Sequence, residues 1–265
     1  MRISPEELAR IAHQAGCIIM PFFGQAHVRH KADRSPVTEA DEAAESHILE
    51  RLHERFPDIP VIAEELSAAG RLPKVGDRFF LVDPLDGTRE FISGRGEFTV
   101  NIALVEDGKP IVGVVYAPAI DRMFVGEAGK GCRHGKVSTD TTFTPESLVP
   151  CPSVRKGRSQ PLRAVASRSH RTPETEAWLK AHGITEIVSM GSSLKLCGLA
   201  TGEAEVYPRL GRTMEWDIAA GQAVLEAAGG QVLEATTGHP LRYGKAEAGF
   251  ANPPFVAWAP GVTPF

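Results

Sequence analysis

The stretch FFLVDPLDGTREF, residues 79–91, runs four apolar residues straight into Asp83, then a proline, then a second acid at Asp86 followed by Gly87 and Thr88. Phe79-Phe80-Leu81-Val82 reads as the end of a buried strand. Pro84 forces an extended or turn geometry and Gly87 permits a tight one. The two carboxylates therefore emerge where the backbone stops pairing and side chains can converge on a ligand. The amides of Gly87 and Thr88, at the start of whatever helix follows, are a good place for a phosphate. Two carboxylates beside an anion seat make no electrostatic sense alone. A divalent cation resolves the conflict, and hard oxygen donors favour Mg2+. Taken by itself, a D-x-x-D-G turn is explained equally well as surface punctuation.

Other acids fall at comparable places. Glu64 and Glu65 follow the apolar PVIA, where a neighbouring strand tip is expected, and Asp217 sits in EWDIAAG at the start of an apolar helix. Each has a purely structural explanation as well. Asp217 suits the positive end of a helix, and Thr38-Glu39-Ala40-Asp41 reads as a capping box with aspartate in the glutamate place.

Around these residues the pattern divides in two. Ser4, Pro5 and Glu7 predict a capped first helix with an apolar stripe from Leu8 to Phe22, and a second helix follows Thr38 and ends at Pro57. PVIAEEL and RFFLVD read as strands, and FTVNIALVEDGKPIVGVVYAP reads as two strands joined by a turn at Asp107-Gly108. This half is α+β, with helices on a largely antiparallel sheet. A polar, proline-punctuated segment over about 135–160 marks a boundary or surface excursion. Beyond it strands and helices alternate, an α/β arrangement. The division predicted is 1–138, with most of the acids, and 139–265, with Asp217. No internal repeat or low-complexity tract is present.

The chain's 265 residues suffice for one large domain or two modest ones. A net charge of −4 supplies no global field for nucleic acid or an anionic membrane. The four cysteines, Cys17, Cys132, Cys151 and Cys197, show no framework of short spacings and read as reduced thiols of a cytoplasmic protein. The N-terminus lacks the apolar core of a signal peptide, and no run approaches the roughly 20 apolar residues of a membrane span. Any membrane association would be peripheral.

In combination these residues are far more specific than singly. EE at 64–65, DPLDGT at 83–88 and WDIAAG at 216–221 match, in order and spacing, the signature of the inositol monophosphatase superfamily of Mg2+-dependent, lithium-sensitive phosphatases. The finer resemblance is to its 3'(2'),5'-bisphosphate nucleotidase branch. It rests on SPVTEAD, LVDPLDGTREF, GEFTVNIALVEDGKPIVGVVYAP, ASRSH, GSSLKLCGLATGEAEVYPRLGRTMEWDIAAG and NPPF, and it covers nearly the whole chain. The resemblance implies a layered α-β-α-β-α sandwich with a metal site between the halves. The family's metal ligands then fall on Glu64, Asp83, the carbonyl of Leu85, Asp86 and Asp217, for two or three Mg2+ ions. Asp41, Glu64 and Thr88 match the group that positions and activates the attacking water.

Substrate is the finer step. Arg89-Glu90-Phe91 follows the D-G-T motif where inositol monophosphatases usually carry a threonine and an asparagine before the phenylalanine. The resemblance places Glu64, Leu85, Asp86, Gly87, Thr88 and Asp217 around the scissile phosphate. It also places His170, Ser192, Lys195 and Arg209 around a nucleotide, the basic ones near its 5'-phosphate. The implied reaction removes the 3'-phosphate of 3'-phosphoadenosine 5'-phosphate to leave AMP, with the sulfated analogue a second candidate. Without the resemblance, SSLK reads as a capped helix start with a solvated lysine. A broad inositol or sugar phosphatase and a nonenzymatic nucleotide sensor are the alternatives. The presence of every acid of the constellation, and of Thr88, disfavours the sensor. The polar stretch 139–160 departs from the pattern and is expected to be a surface insertion.

Overall fold

The computed structural model describes residues 3–31, 36–152, 161–166 and 172–265. Helix α1 (Pro5–Ile19) leads to β1 (Val28–His30), which pairs with β2 (Pro36–Thr38), and α2 (Glu39–Arg55) follows. Next come β3 (Val61–Ala63), α3 (Glu64–Ala68), β4 (Arg78–Asp86), α4 (Thr88–Ile92), β5 (Thr99–Glu106), β6 (Lys109–Ala117), β7 (Arg122–Glu127), β8 (Gly131–Lys136) and β9 (Val149–Pro150). Strands β3 to β9 form one seven-stranded sheet in sequence order, antiparallel throughout except for the parallel β3–β4 pair. Asp107 and Gly108 both take positive φ (49° and 70°) in the two-residue β5–β6 hairpin, the geometry whose twist matches that of the strands.

The second half contributes β10 (Arg163–Ala166), α5 (Pro173–Ala181), β11 (Glu186–Ser189), α6 (Leu194–Ala200), β12 (Val206–Arg209), β13 (Thr213–Met214), α7 (Glu215–Ala227), β14 (Gln231–Glu234), β15 (Ala251–Asn252) and β16 (Phe255–Trp258). Five of these strands form a second sheet in the order β11-β10-β12-β16-β14.

The unbroken apolar run in β4 now has its reason: the strand is buried on both faces. Phe80 and Val82 join Leu8, Ile11, Ile48 and Leu52 of α1 and α2 in one core. Phe79 and Leu81 point the other way, into a core shared with Leu196, Leu225, Phe255 and Leu179 of the second half. Helix α7 lies flush on the first sheet, because a Cβ at Gly113 or Gly126 would collide with the backbone of Ala220 or Val224. The layers are thus helix, sheet, helix, sheet, helix, as expected for a layered sandwich. Each fully buried Phe or Leu in these cores contributes on the order of 2 kcal/mol.

Three local expectations change. Ser4 stands at the N-cap of α1, but its hydroxyl donates to Glu6 (2.7 Å) rather than capping the helix, and Glu7 pairs with Arg55. The expected box is not formed there, whereas the Thr38/Asp41 box is. Two of the four predicted thiols are also joined: Cys132 and Cys151 form a disulfide, leaving Cys17 and Cys197 free. Nineteen residues of separation gave no hint of this. The β8–β9 pairing supplies it, with Cys151 N–H donating to the Cys132 carbonyl at 2.7 Å. Cysteine usage therefore no longer argues for a reducing compartment. Finally, the polar stretch after 139 donates β9 to the first sheet, while 153–160 lie outside the described residues. No helix among the described residues is long and apolar enough to cross a membrane.

Candidate active site

At the end of β4 the ladder with β5 breaks. Asp83 faces Asn101, the register then shifts, and Asp86 faces Thr99. Pro84 has no N–H to give the ladder. The Leu85 N–H folds back to Asp83 Oδ1 (3.0 Å), and the Leu85 carbonyl is left to accept from Thr88 Oγ1 (3.3 Å). Gly87 makes the corner at φ 96°; a side chain there would also strike the Ser192 hydroxyl. Thr88, the first residue of α4, has a second acceptor in Asp41 Oδ1 at 3.2 Å. Asp41 is buried and already held through its other oxygen by Thr38, from the backbone N–H (2.8 Å) and the hydroxyl (2.6 Å). The capping box and the link to Thr88 are therefore one arrangement, not rival explanations.

Two further acids arrive from helix starts. Asp217, third residue of α7, accepts the Met214 N–H at 2.8 Å. Glu64 opens α3 and is bound by Lys31 Nζ at 2.6 Å, which also binds Glu65 at 2.6 Å. Lys31 is largely buried, and the two carboxylates raise its pKa. Glu64, Asp83, Leu85, Asp86, Thr88 and Asp217 line one cleft of about 290 Å3.

The same cleft is also lined by Ser192, Ser193 and the basic residues Lys195 and Arg209, which form its basic wall. Ser192 Oγ, at a positive-φ position, donates toward the carbonyls of Asp86 (2.8 Å) and Glu97 (3.0 Å). Its hydroxyl proton thus holds protein backbone together. The neighbouring Ser193 hydroxyl donates to the Asp217 carbonyl at 2.7 Å, and its backbone N–H serves the Asp86 carboxylate. The GSS segment therefore ties the end of β4 to the start of α7. Lys195 is buried, with Nζ donating to the Ser192 carbonyl (2.8 Å) and lying 5.7 Å from the Tyr207 ring centre. Arg209 donates to the Arg212 carbonyl at 3.2 Å, while its buried Nε has no hydrogen-bond partner among the described residues. His170 lies outside the described residues.

Electrostatics distinguishes the two walls. Burial, with the charges of Glu64, Asp86 and Asp217 around it, pushes Asp83 well above the carboxylate range. Burial and the charges of Asp86 and Glu64 do the same to Asp217. Burial also raises Asp86, to about 6, against the opposing pull of Lys195. Lys195 is in turn lowered to about 8, because burial and Arg209 outweigh the nearby acids. Carboxylates that resist ionising together are what a divalent cation relieves, and an all-oxygen donor set suits Mg2+. Among the described residues no three such side chains are yet gathered as a metal cage. Glu64 is engaged instead by the Lys31 ammonium, a cation already standing on one proposed ligand. The residues fit the ion in chemistry.

Three participants escaped sequence reasoning. Lys31 lies just before the SPVTEAD motif, Ser193 was overshadowed by Ser192, and Glu45 stands one helical turn beyond Asp41. Only the last had a usable signal, the i, i+4 spacing of two acids on a helix whose apolar residues share that face.

A fold of this kind, with an acid-lined cleft at a strand end, defines a class. The chain belongs to the inositol monophosphatase family, whose model matches residues 6–258. Among its relatives is the 3'(2'),5'-bisphosphate nucleotidase CysQ of Escherichia coli O157:H7, 42% identical over 253 residues, 94% of this chain and 97% of the relative. CysQ of Haemophilus influenzae is 32% identical over 93% of this chain and 89% of its own. The crystal structure of CysQ from Bacteroides thetaiotaomicron superposes with a TM-score of 0.81 at 39% identity, covering 96% of each chain. An IMPase of Thermotoga maritima shares the fold, with a TM-score of 0.75 at 24% identity over 96% of this chain and 91% of that one.

Proposed function

We propose that the protein is a Mg2+-dependent 3'(2'),5'-bisphosphate nucleotidase. It removes the 3'-phosphate of 3'-phosphoadenosine 5'-phosphate to leave AMP and phosphate, with the sulfated analogue a further candidate substrate. The observation that carries this reading is a single cleft lined both by the acids Asp83, Asp86 and Asp217 and by the cations Lys195 and Arg209. The acids alone suit a phosphomonoester. The cations add a second anion seat, which a bisphosphate uses and a monophosphate does not. Near-full-length likeness to nucleotidases named CysQ supports the same choice.

In this reading Glu64, Asp83, Asp86, Asp217 and the Leu85 carbonyl hold two or three Mg2+ ions. Bound Mg2+ supplies Lewis acidity toward the phosphate and its attacking water. Thr88 orients that water for in-line attack, accepting its proton as the hydroxyl's own proton passes to Asp41, the buried acceptor 3.2 Å away. Burial raises the pKa of Asp41, which favours it as a proton acceptor. Gly87 keeps the corner open for close approach of the ester. Lys195 and Arg209 hold the 5'-phosphate, with Arg209 Nε a buried donor that has no hydrogen-bond partner among the described residues. Ser192 acts mainly through the cleft's shape, its proton being committed to carbonyls. Residues 1–138 bring most of the acids and 139–265 bring Asp217 and the cations.

Phosphate release from 3'-phosphoadenosine 5'-phosphate, inositol 1-phosphate and fructose 1,6-bisphosphate, with Mg2+ and with chelator, tests this directly. The expected outcome is metal-dependent turnover with a strong preference for the nucleotide. Preference for inositol 1-phosphate would leave the acid wall's role standing and remove the second anion seat. Tight nucleotide binding without turnover in saturating Mg2+ would indicate a sensor instead.

A further inference from the structure

Helix α2 presents two buried acids one turn apart, Asp41 and Glu45. Asp41 serves Thr88. Glu45 reaches a different element: its Oε2 accepts the Glu65 N–H at 2.8 Å and its Oε1 accepts the Leu66 N–H at 2.9 Å. These amides belong to the first turn of α3, whose first residue is Glu64. A five-residue helix is far too short to hold itself together. Its N-cap, Ala63, has no side chain that could satisfy the amides of that first turn. Glu45 satisfies them from another helix.

On the proposed metal-dependent reading, we infer that Glu45 is a positioning residue that fixes Glu64 relative to Thr88. The reason lies in what α2 connects. One acid of α2 fixes the start of α4, and the acid four residues later, about 6 Å along the axis, fixes the start of α3. The helix thus spaces the proposed water-orienting hydroxyl from the proposed Glu64 ligand. Ala44, Ile48 and Leu52 anchor it in the core, so the spacing is set by packing. A serine at position 63 could cap α3 without the cost of burying a charged group. A two-pronged carboxylate from α2 does something a local cap does not, since it ties α3 to the helix that also holds Thr88. Lys31 clamps Glu64 and Glu65 through their side chains, and Glu45 sets where the backbone bearing them stands.

The test is Mg2+ titration calorimetry on substrate-free protein, with thermal unfolding and steady-state kinetics alongside, for wild type, Glu45→Gln, Glu45→Ala and the packing control Val232→Ala, buried in β14 away from the cleft. Glu45→Ala is expected to weaken Mg2+ binding and lower kcat about 10–100-fold, with the nucleotide KM at saturating Mg2+ within about twofold of wild type. Glu45→Gln keeps one carbonyl acceptor but turns an NH2 onto the other donor, and is expected to lose less. Val232→Ala is expected to lower Tm without moving the Mg2+ isotherm, which separates positioning from bulk stability. If Glu45→Ala does not fold, Glu45→Gln decides. A folded Glu45 variant with wild-type Mg2+ affinity and kcat overturns this inference alone. A wild-type protein that binds no Mg2+ overturns it together with the metal-dependent reading.

Discussion

The two walls of the cleft are built in opposite ways. The acids are short side chains held by backbone amides: Asp83 by the Leu85 N–H, Asp217 by the Met214 N–H, and Asp86 by the Ser193 N–H. Lys195 and Arg209 are long side chains reaching in from the second half, with Lys195 turned back onto the Ser192 carbonyl and Arg209 Nε without a hydrogen-bond partner among the described residues. On the proposed reading, the acid wall governs whether a phosphate ester is cleaved at all, and the basic wall governs which ester is preferred.

Substitution of the acid wall breaks this comparison most severely. Asp83→Asn keeps the size of the side chain and an acceptor for Leu85 but removes the charge. Turnover on every phosphate ester is expected to fall about 10³-fold or more, a loss of several kcal/mol of electrostatic stabilisation. Phosphate-release assays, with circular dichroism to verify the fold, measure this. Near-native turnover would remove Asp83 from the proposed ligands. Lys195→Met should act differently: the KM for 3'-phosphoadenosine 5'-phosphate is expected to rise about 10–100-fold, the worth of one charge-assisted hydrogen bond. Turnover of inositol 1-phosphate, which has no second anion, is expected to change little. Equal damage to both substrates would mean that Lys195 belongs to the acid wall's chemistry.

The same contrast explains what could be read from the chain. The acid wall lies on strand and helix ends, where Pro84, Gly87 and the change from apolar to acidic residues mark each position locally. Even the β4 core could be read, because FFLV without alternation means burial on both faces. The basic wall left weaker traces. Nothing local to SSLK says whether Lys195 is buried or solvated; its burial follows from α6 packing between α7 and the second sheet. Ser192 was expected to meet the ligand, yet its hydroxyl serves Asp86 and Glu97 from distant segments. The Cys132–Cys151 link escaped for the same reason, being a consequence of strand register rather than of spacing. Glu45, which meets α3 across 20 residues of chain, was overlooked although its place one turn beyond Asp41 was visible.

A pH titration sharpens the comparison on the basic side. Lys195 has its pKa lowered to about 8, first by burial. Its charge is present below that value and lost above it. Nucleotide KM is thus expected to rise as pH passes through about 8, roughly tenfold between pH 7 and pH 9 once the proton is largely gone. Lys195→Arg, which stays charged, is expected to flatten the rise. A wild-type KM that is level over this range would mean that the ammonium does not bind the second phosphate.

The smallest effect belongs to the acid wall without metal. Asp83, Asp86 and Asp217 have folded-state pKa values above those of the unfolded chain, chiefly through burial, with Asp86 at about 6. Glu45 and Glu65 are raised in the same sense, to about 7. A carboxyl with a raised folded pKa binds more protons folded than unfolded. Its contribution is favourable below the unfolded value near 4 and is lost as pH rises through the folded value. In chelator, therefore, Tm is expected to fall by several degrees between about pH 4 and pH 7, opposite to the usual gain of stability as carboxylates ionise. Saturating Mg2+ is expected to abolish or reverse that slope, because the ion binds the ionised acids of the folded state alone. Differential scanning calorimetry across this range, with and without Mg2+, measures both. Parallel curves would mean that the buried acids find their counter-charge within the protein, Lys31 foremost, and that the cleft needs no divalent ion to hold them together.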